Sequence, residues 1–195
     1  MGYGHLRAGL ALAEAAGTEV LSMDRAPLAS AHDVAVWDRL RTTYERLSRR
    51  TGLPLVGAAY RRVLEVVTAI PRLRPPDAQR EPSLSVRYMA SLLGKGFGRP
   101  LVEHLQATGA PLVSTFYAAA IVAEAAGVRR VVSVITDADV NRVWAPADAA
   151  AGATVYAVPT ARAARRLRAF GVPAARIHRT GFPLPQVLVG ADGAA

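Results

Sequence analysis

The chain has no cysteine and only one lysine, Lys95. Without cysteine there are no disulfides, no thiolate metal sites and no cysteine nucleophile. That absence leaves the compartment open. No stretch reaches the roughly 18 uninterrupted apolar residues that a spanning helix needs. The start carries no charged segment followed by an apolar one, so no secretory leader is expected. A cytoplasmic location is the default expectation. Two motifs are also missing. The Gly-Lys-Ser/Thr ending of a nucleotide P-loop does not occur. The Gly-x-Ser-x-Gly elbow of a serine hydrolase does not occur either, which argues against Ser114 as a nucleophile.

What is present is globular in composition. The 195 residues are 51% hydrophobic and 20% charged, enough for a sizeable core. The net charge is +9, almost all of it from arginine. Nine arginines lie between Arg39 and Arg74, against only Glu45 and Glu65. Six more lie between Arg162 and Arg179 with no acidic residue among them. Such clusters attract anions: phosphate groups, nucleic acid or an anionic membrane surface. The plainer reading is a solvated basic face with no partner.

Apolar periodicity divides the chain. His5 to Ala16 has helical spacing and Gly17 stops it. TEVLSMD (18–24) reads as a buried strand. Asp33 to Arg50 and Leu55 to Ile70 read as helices, broken from each other at Gly52 and Pro54. The proline-rich stretch 72–83 reads as a loop. Helices are expected over Leu84–Leu93 and Pro100–Thr108, around the glycine-rich GKGFG (94–98). From there the pattern becomes regular: strand 111–116, helix Tyr117–Ala126, strand 130–136, strand 153–159, a basic helix capped by Thr160 and ended by Gly171, and a short strand within 175–183. Strands with nearly unbroken apolar runs, alternating with helices, predict an α/β fold: a parallel sheet covered by helices on both faces. Binding sites in such folds lie beyond the carboxyl ends of the strands.

Three strand-end segments carry candidate chemistry. In Gly2-Tyr3-Gly4-His5 the glycines allow a sharp turn and close approach of a ligand. The helix that follows aims free N–H groups at that ligand. A helix-start histidine bonded to backbone is the competing reading of His5. TDADVNRVWAP (136–146) places Asp137 and Asp139 directly after a buried strand, with Asn141 and Trp144 next. Polar groups there are costly unless they bind a ligand or one another. Asp137 capping its own turn is the alternative. No histidine is near in sequence, so a metal is not expected. In STFYAAA (114–120), Ser114 and Thr115 can cap the next helix or contact a ligand.

Together these segments resemble the amino-terminal, acceptor-binding domain of the GT-B glycosyltransferases that build glycolipids, such as diacylglycerol glucosyltransferases and monogalactosyldiacylglycerol synthases. The resemblance rests on Gly2-Tyr3-Gly4-His5 with its helix, on PLVSTFYAAAIVAE, on VITDADVNRVWAP, and on VPTARAARRLRAFGVPAARIHRTGFPLP. It is loose over 24–110 and closer over 111–185. Asn141 and Phe116 stand where the family tends to have histidine.

The resemblance implies a Rossmann-like half of a GT-B fold over residues 1–189, with 190–195 as a linker or truncation tail. In the family a strand precedes Gly-x-Gly-His, and a second domain with the nucleotide-sugar pocket follows the closing Gly-x-Pro. The expectation is therefore a fragment that begins one strand late and stops at the hinge. The implied partners are a nucleotide-sugar donor, held by that second domain, and a lipid or envelope acceptor. An anionic membrane surface at the inner face is a further expected partner, and nucleic acid is not. No cofactor is implied. His5 and Asp137 are the expected catalytic pair, with His5 as base. Gly2, Gly4, Thr115, Thr136, Asn141 and Trp144 are expected to bind the acceptor. The alternatives are a non-catalytic module for anionic lipid or nucleic acid, and a sugar-nucleotide epimerase of related fold.

Overall fold

The computed structural model describes residues 3–50, 58, 62, 70, 72 and 79–188. Most of the expected helix Leu55–Ile70 and half of the expected loop 72–83 lie outside the described residues; of that helix Ala58 and Arg62 are described and helical, and Ile70 is described and not helical. The tail 190–195 lies outside them too.

A four-stranded parallel sheet organises the molecule. Its strands are β1 (Leu112–Ser114), β2 (Val131–Val134), β3 (Val155–Val158) and β4 (Ile177–Arg179), neighbours in that same order. The register is Leu112 with Val131, Val132 with Val155, and Tyr156 with Ile177. The flanking helices are α1 (Tyr3–Ala16), α2 (Ala31–Arg50), α3 (Leu84–Gly94), α4 (Arg99–Thr108), α5 (Tyr117–Ala125) and α6 (Ala161–Ala169). This is the expected α/β architecture, a Rossmann-like parallel sheet flanked by helices. No described helix is long and apolar enough to cross a membrane.

Local chemistry explains the helix ends. α1 stops at Gly17, whose φ of 62° lets Thr18 N–H reach the Ala13 carbonyl. α2 starts two residues before the expected Asp33, because Ser30 and Asp33 form a capping box. Ser30 N–H donates to Asp33 Oδ2, and Asp33 N–H donates to Ser30 Oγ. Asp33 is 1% exposed, and its other oxygen accepts the Gly98 N–H at 3.1 Å. One carboxylate thus caps α2 and ties it to the glycine-rich turn ahead of α4. Ser83 and Thr160 cap α3 and α6.

Two apolar clusters make the core. One joins α2, α3, α4 and the alanine-rich α5 around Phe97, Leu101, Val122 and Val131. The other gathers Ile135, Val140, Trp144, Tyr156, Leu167 and Phe170 between the 136–149 loop, β3 and α6.

One strand expectation is overturned. TEVLSMD (18–24) forms no strand; residues 18–22 are irregular and a turn follows at Met23. An apolar run becomes a strand only where a neighbour offers backbone partners, and no described strand pairs with this one. Its side chains still pack: Val20 approaches Gly9 of α1, and Met23 joins the first core cluster.

Candidate functional site

The amino end of α1 sits at the carboxyl ends of β1 and β2. His5 is the anchor. Its Nδ1 lies 2.6 Å from the Thr115 carbonyl oxygen and 2.9 Å from Thr136 Oγ1. Thr115 returns a bond, its hydroxyl donating to the His5 carbonyl at 2.9 Å. A carbonyl can only accept, so Nδ1 carries the hydrogen. In the neutral ring, Nε2 is then the basic nitrogen. Thr136 Oγ1 can take a share of the Nδ1–H, and its own hydrogen remains for another acceptor.

Aromatic rings surround the imidazole. Phe116 meets it edge-on with centroids 5.2 Å apart, and Trp144 lies at 6.1 Å. Tyr117 bridges these two rings, at 4.4 Å from Phe116 and 5.8 Å from Trp144. Trp37 of α2 closes on Phe116 from the far side. His5 is therefore half-buried against apolar surface, with one nitrogen pinned.

Four of the expected residues thus come together: His5, Thr115, Thr136 and Trp144. Gly4 adjoins them, lining with Thr136, Arg7, Phe182 and Leu184 a small cavity of about 140 Å³. Gly2 lies outside the described residues. The other candidates fare differently. Asp137 is exposed in a bend and makes no hydrogen bond among the described residues, so neither turn capping nor an orienting bond to His5 is present. Asn141 opens the short 3-10 turn Arg142–Trp144 without capping it through its side chain. Its Oδ1 is buried with no partner among the described residues. Trp144 is 4% exposed, a core residue that also walls the histidine. Ser114 folds onto its own turn, donating to the Phe116 carbonyl and accepting the Phe116 N–H.

The carboxylate with a built environment is Asp139. Arg166, fully buried in α6, donates to both its oxygens at 3.0 and 2.8 Å. Arg162 adds a third bond at 2.7 Å. Burial by itself would raise this carboxyl. The bonds from Arg166, Arg162 and the Val140 N–H outweigh it and bring its pKa down to about 2. Thr160 Oγ1 also donates to the Ala138 carbonyl, which docks the loop on the start of α6.

Several arginines of the basic clusters are spent inside the molecule. Arg162 and Arg166 hold Asp139. Arg176 donates to the carbonyls of Ala149, Ala150 and Thr154. Outside the clusters, buried Arg142 gathers the carbonyls of Ala145, Pro146, Ala147 and Arg80, and burial lowers its pKa. On α2, Arg41 and Arg49 pair with acids of their own helix. Among the described residues no group of three or more His, Asp or Glu is placed to hold a metal ion.

The sequence pattern did not single out Phe182 and Leu184 as site residues. They are exposed apolar residues after a strand, and Gly181-Phe182-Pro183 was the only signal for them. No family model matches the chain, and no curated protein or solved structure matches it either.

Proposed function

We propose that this α/β unit is the acceptor-binding half of a glycosyltransferase that moves a sugar from a nucleotide-sugar to a lipid or envelope acceptor. The observation that carries the reading is His5, held by the Thr115 carbonyl so that Nε2 is left as a base at the strand ends. A transferase of this kind needs a base for the acceptor hydroxyl. His5 Nε2 takes the hydroxyl proton as the oxygen attacks the anomeric carbon. The bond from that carbon to the nucleoside diphosphate breaks, and the diphosphate leaves with the electron pair. A second α/β unit would hold the donor. Thr136 is positioned to donate to the acceptor, and Phe182 and Leu184 supply apolar surface for its lipid portion. Asp137 has no part in this chemistry as placed, because it is exposed and unlinked to His5.

Zwitterionic vesicles with and without diacylglycerol test the binding step, read through the His5 imidazole resonances. A shift that needs diacylglycerol, and is lost in Thr136→Val, supports the reading. Unchanged resonances overturn it. In a polypeptide that joins this unit to a donor-binding unit, His5→Gln should lower kcat about a hundredfold or more and leave KM nearly unchanged. Full transfer activity in that variant would remove His5 as base. The rival reading, an electrostatic module for anionic lipid, is weakened by the arginines committed to internal carbonyls and to Asp139.

A further inference from the structure

Trp144 is 4% exposed, yet its indole N–H makes no hydrogen bond among the described residues. The chain's other tryptophan behaves differently: Trp37 Nε1–H donates to the Met23 carbonyl at 3.1 Å. Two tyrosines beside Trp144 divide in the same way. Buried Tyr156 donates its hydroxyl to the Trp144 carbonyl at 3.3 Å. Half-buried Tyr117 has a hydroxyl with no partner among the described residues. Tryptophan N–H and tyrosine O–H groups normally find a partner when their rings are buried, and an unpaired one is costly. Neither the Trp144 nitrogen nor the Tyr117 oxygen is enclosed among the described residues, so a ligand can supply the missing partner. The two rings lie 5.8 Å apart. Asn141 heads the 3-10 turn that carries Trp144, and its carbonyl accepts the Trp144 backbone N–H. Its side-chain amide is also unpaired among the described residues. Three unpaired polar side chains thus share one corner, on the wall that faces His5 at 6.1 Å.

We infer that Trp144, Tyr117 and Asn141 form a polar subsite for an uncharged, hydroxyl-bearing headgroup, beside the hydroxyl that His5 deprotonates. The inference rests on the reading of the strand ends as an acceptor site. It narrows the acceptor to a lipid with a neutral hydroxyl head and excludes one with an anionic head. The donor set decides this. The Trp144 indole only donates, the Asn141 amide oxygen only accepts, and the Tyr117 hydroxyl does either. Burial raises the Tyr117 phenol, so it stays protonated and able to donate. A ligand hydroxyl can accept from the indole and donate to the amide. A fully ionised phosphate or carboxylate can only accept. It also finds no available cation on this turn, because the Arg142 guanidinium is spent on the carbonyls of Arg80, Ala145, Pro146 and Ala147.

The test reads the two indole N–H resonances of the full chain, with Trp37 as the internal reference. The probes share one tail: octyl glucoside below its micelle concentration, and octyl phosphate in its doubly ionised form. Octyl glucoside should move the Trp144 resonance in a saturable way and leave Trp37 in place. Octyl phosphate should bind at least about tenfold more weakly. Tyr117→Phe removes one oxygen and keeps the ring, and it should weaken octyl glucoside about three- to tenfold. A Trp144 resonance unmoved by octyl glucoside overturns the inference, as does equal binding of octyl phosphate. Unchanged affinity in Tyr117→Phe overturns it too. The base is tested separately, through transfer by the His5→Gln variant. Full transfer there, with Trp144 responding as expected, removes the base and keeps the subsite. A silent Trp144 with transfer lost in His5→Gln removes the subsite and keeps the base.

Discussion

Two regions of the molecule carry similar apolar patterns and come to different ends. From Leu112 to Arg179, each expected strand forms and pairs with the next strand along the chain. From Thr18 to Ser22, after α1, a comparable apolar run stays irregular. The difference is a partner rather than propensity. In the later region each strand's neighbour is the next strand in sequence, delivered by a crossover. Residues 18–24 have no such neighbour in place. The two regions are also fastened differently. Buried charge pairs and arginine–carbonyl bonds hold the later one. Among the described residues, the hydrogen bonds of His5 to Thr115 and Thr136 hold α1 to the sheet.

The largest break in that contrast should come from Asp139→Asn. It removes the Asp139 charge from beside the fully buried Arg166 guanidinium, and the expected loss is about 3 kcal/mol. Urea denaturation should show the midpoint falling with an unchanged slope. The acid side follows from the lowered carboxyl. Its unfolded value lies near 3.8 and its folded value near 2. The stability it contributes is full above the unfolded value and is lost as pH falls through about 2. The Asn variant should flatten that limb of the stability curve.

Gly98→Ala comes next. The residue has φ 79°, and a Cβ there would lie 2.6 Å from Val122 Cγ1 in the core of α5. Its N–H also serves Asp33. A loss of about 2 kcal/mol is expected from strain and overpacking together. A stability within ~0.5 kcal/mol of the parent would show that α4 and α5 can separate without cost.

Thr115→Val probes the weaker fastening. It removes the bond to the His5 carbonyl but keeps the Thr115 carbonyl that holds Nδ1. About 1 kcal/mol is expected. Amide exchange should quicken in α1 and stay unchanged in β3. Equal quickening in both would mean that the two regions unfold as one unit, and the comparison would fail.

Sequence pattern was sufficient where its rules are local. The strands from 112 onward, Gly17 as a helix stop and Thr160 as a cap follow from spacing and residue type. His5, Thr115 and Thr136 were legible because each stands at a strand end or helix start, where the topology must bring them together. Asp137 and Asp139 were not separable, because an offset of two residues decides which carboxylate meets α6. The buried roles of Arg142, Arg166 and Arg176 were hidden for a similar reason. An arginine in a basic run looks the same whether solvent or a carbonyl cluster receives it. Strand 18–24 failed because pairing is a property of two segments, and the pattern reports on one.

The smallest effect should come from the arginines of α2, and it sharpens the contrast from the other side. Arg41 is 67% exposed and meets Asp38 and Glu45 on the same helix face. Such pairs give back little, since solvent screens them and two long side chains must be ordered. Arg41→Ala should change stability by less than about 0.5 kcal/mol. Arg166 and Arg41 are both paired arginines, and burial alone separates a large effect from a negligible one. The same variant bears on the membrane question. If α2 lies on anionic lipid, Arg41→Ala should weaken binding to phosphatidylglycerol vesicles, more at low salt than at high. Unchanged vesicle binding alongside unchanged stability would make the α2 stripe a solvated face, and would leave the strand ends around His5 as the region where a ligand must be sought.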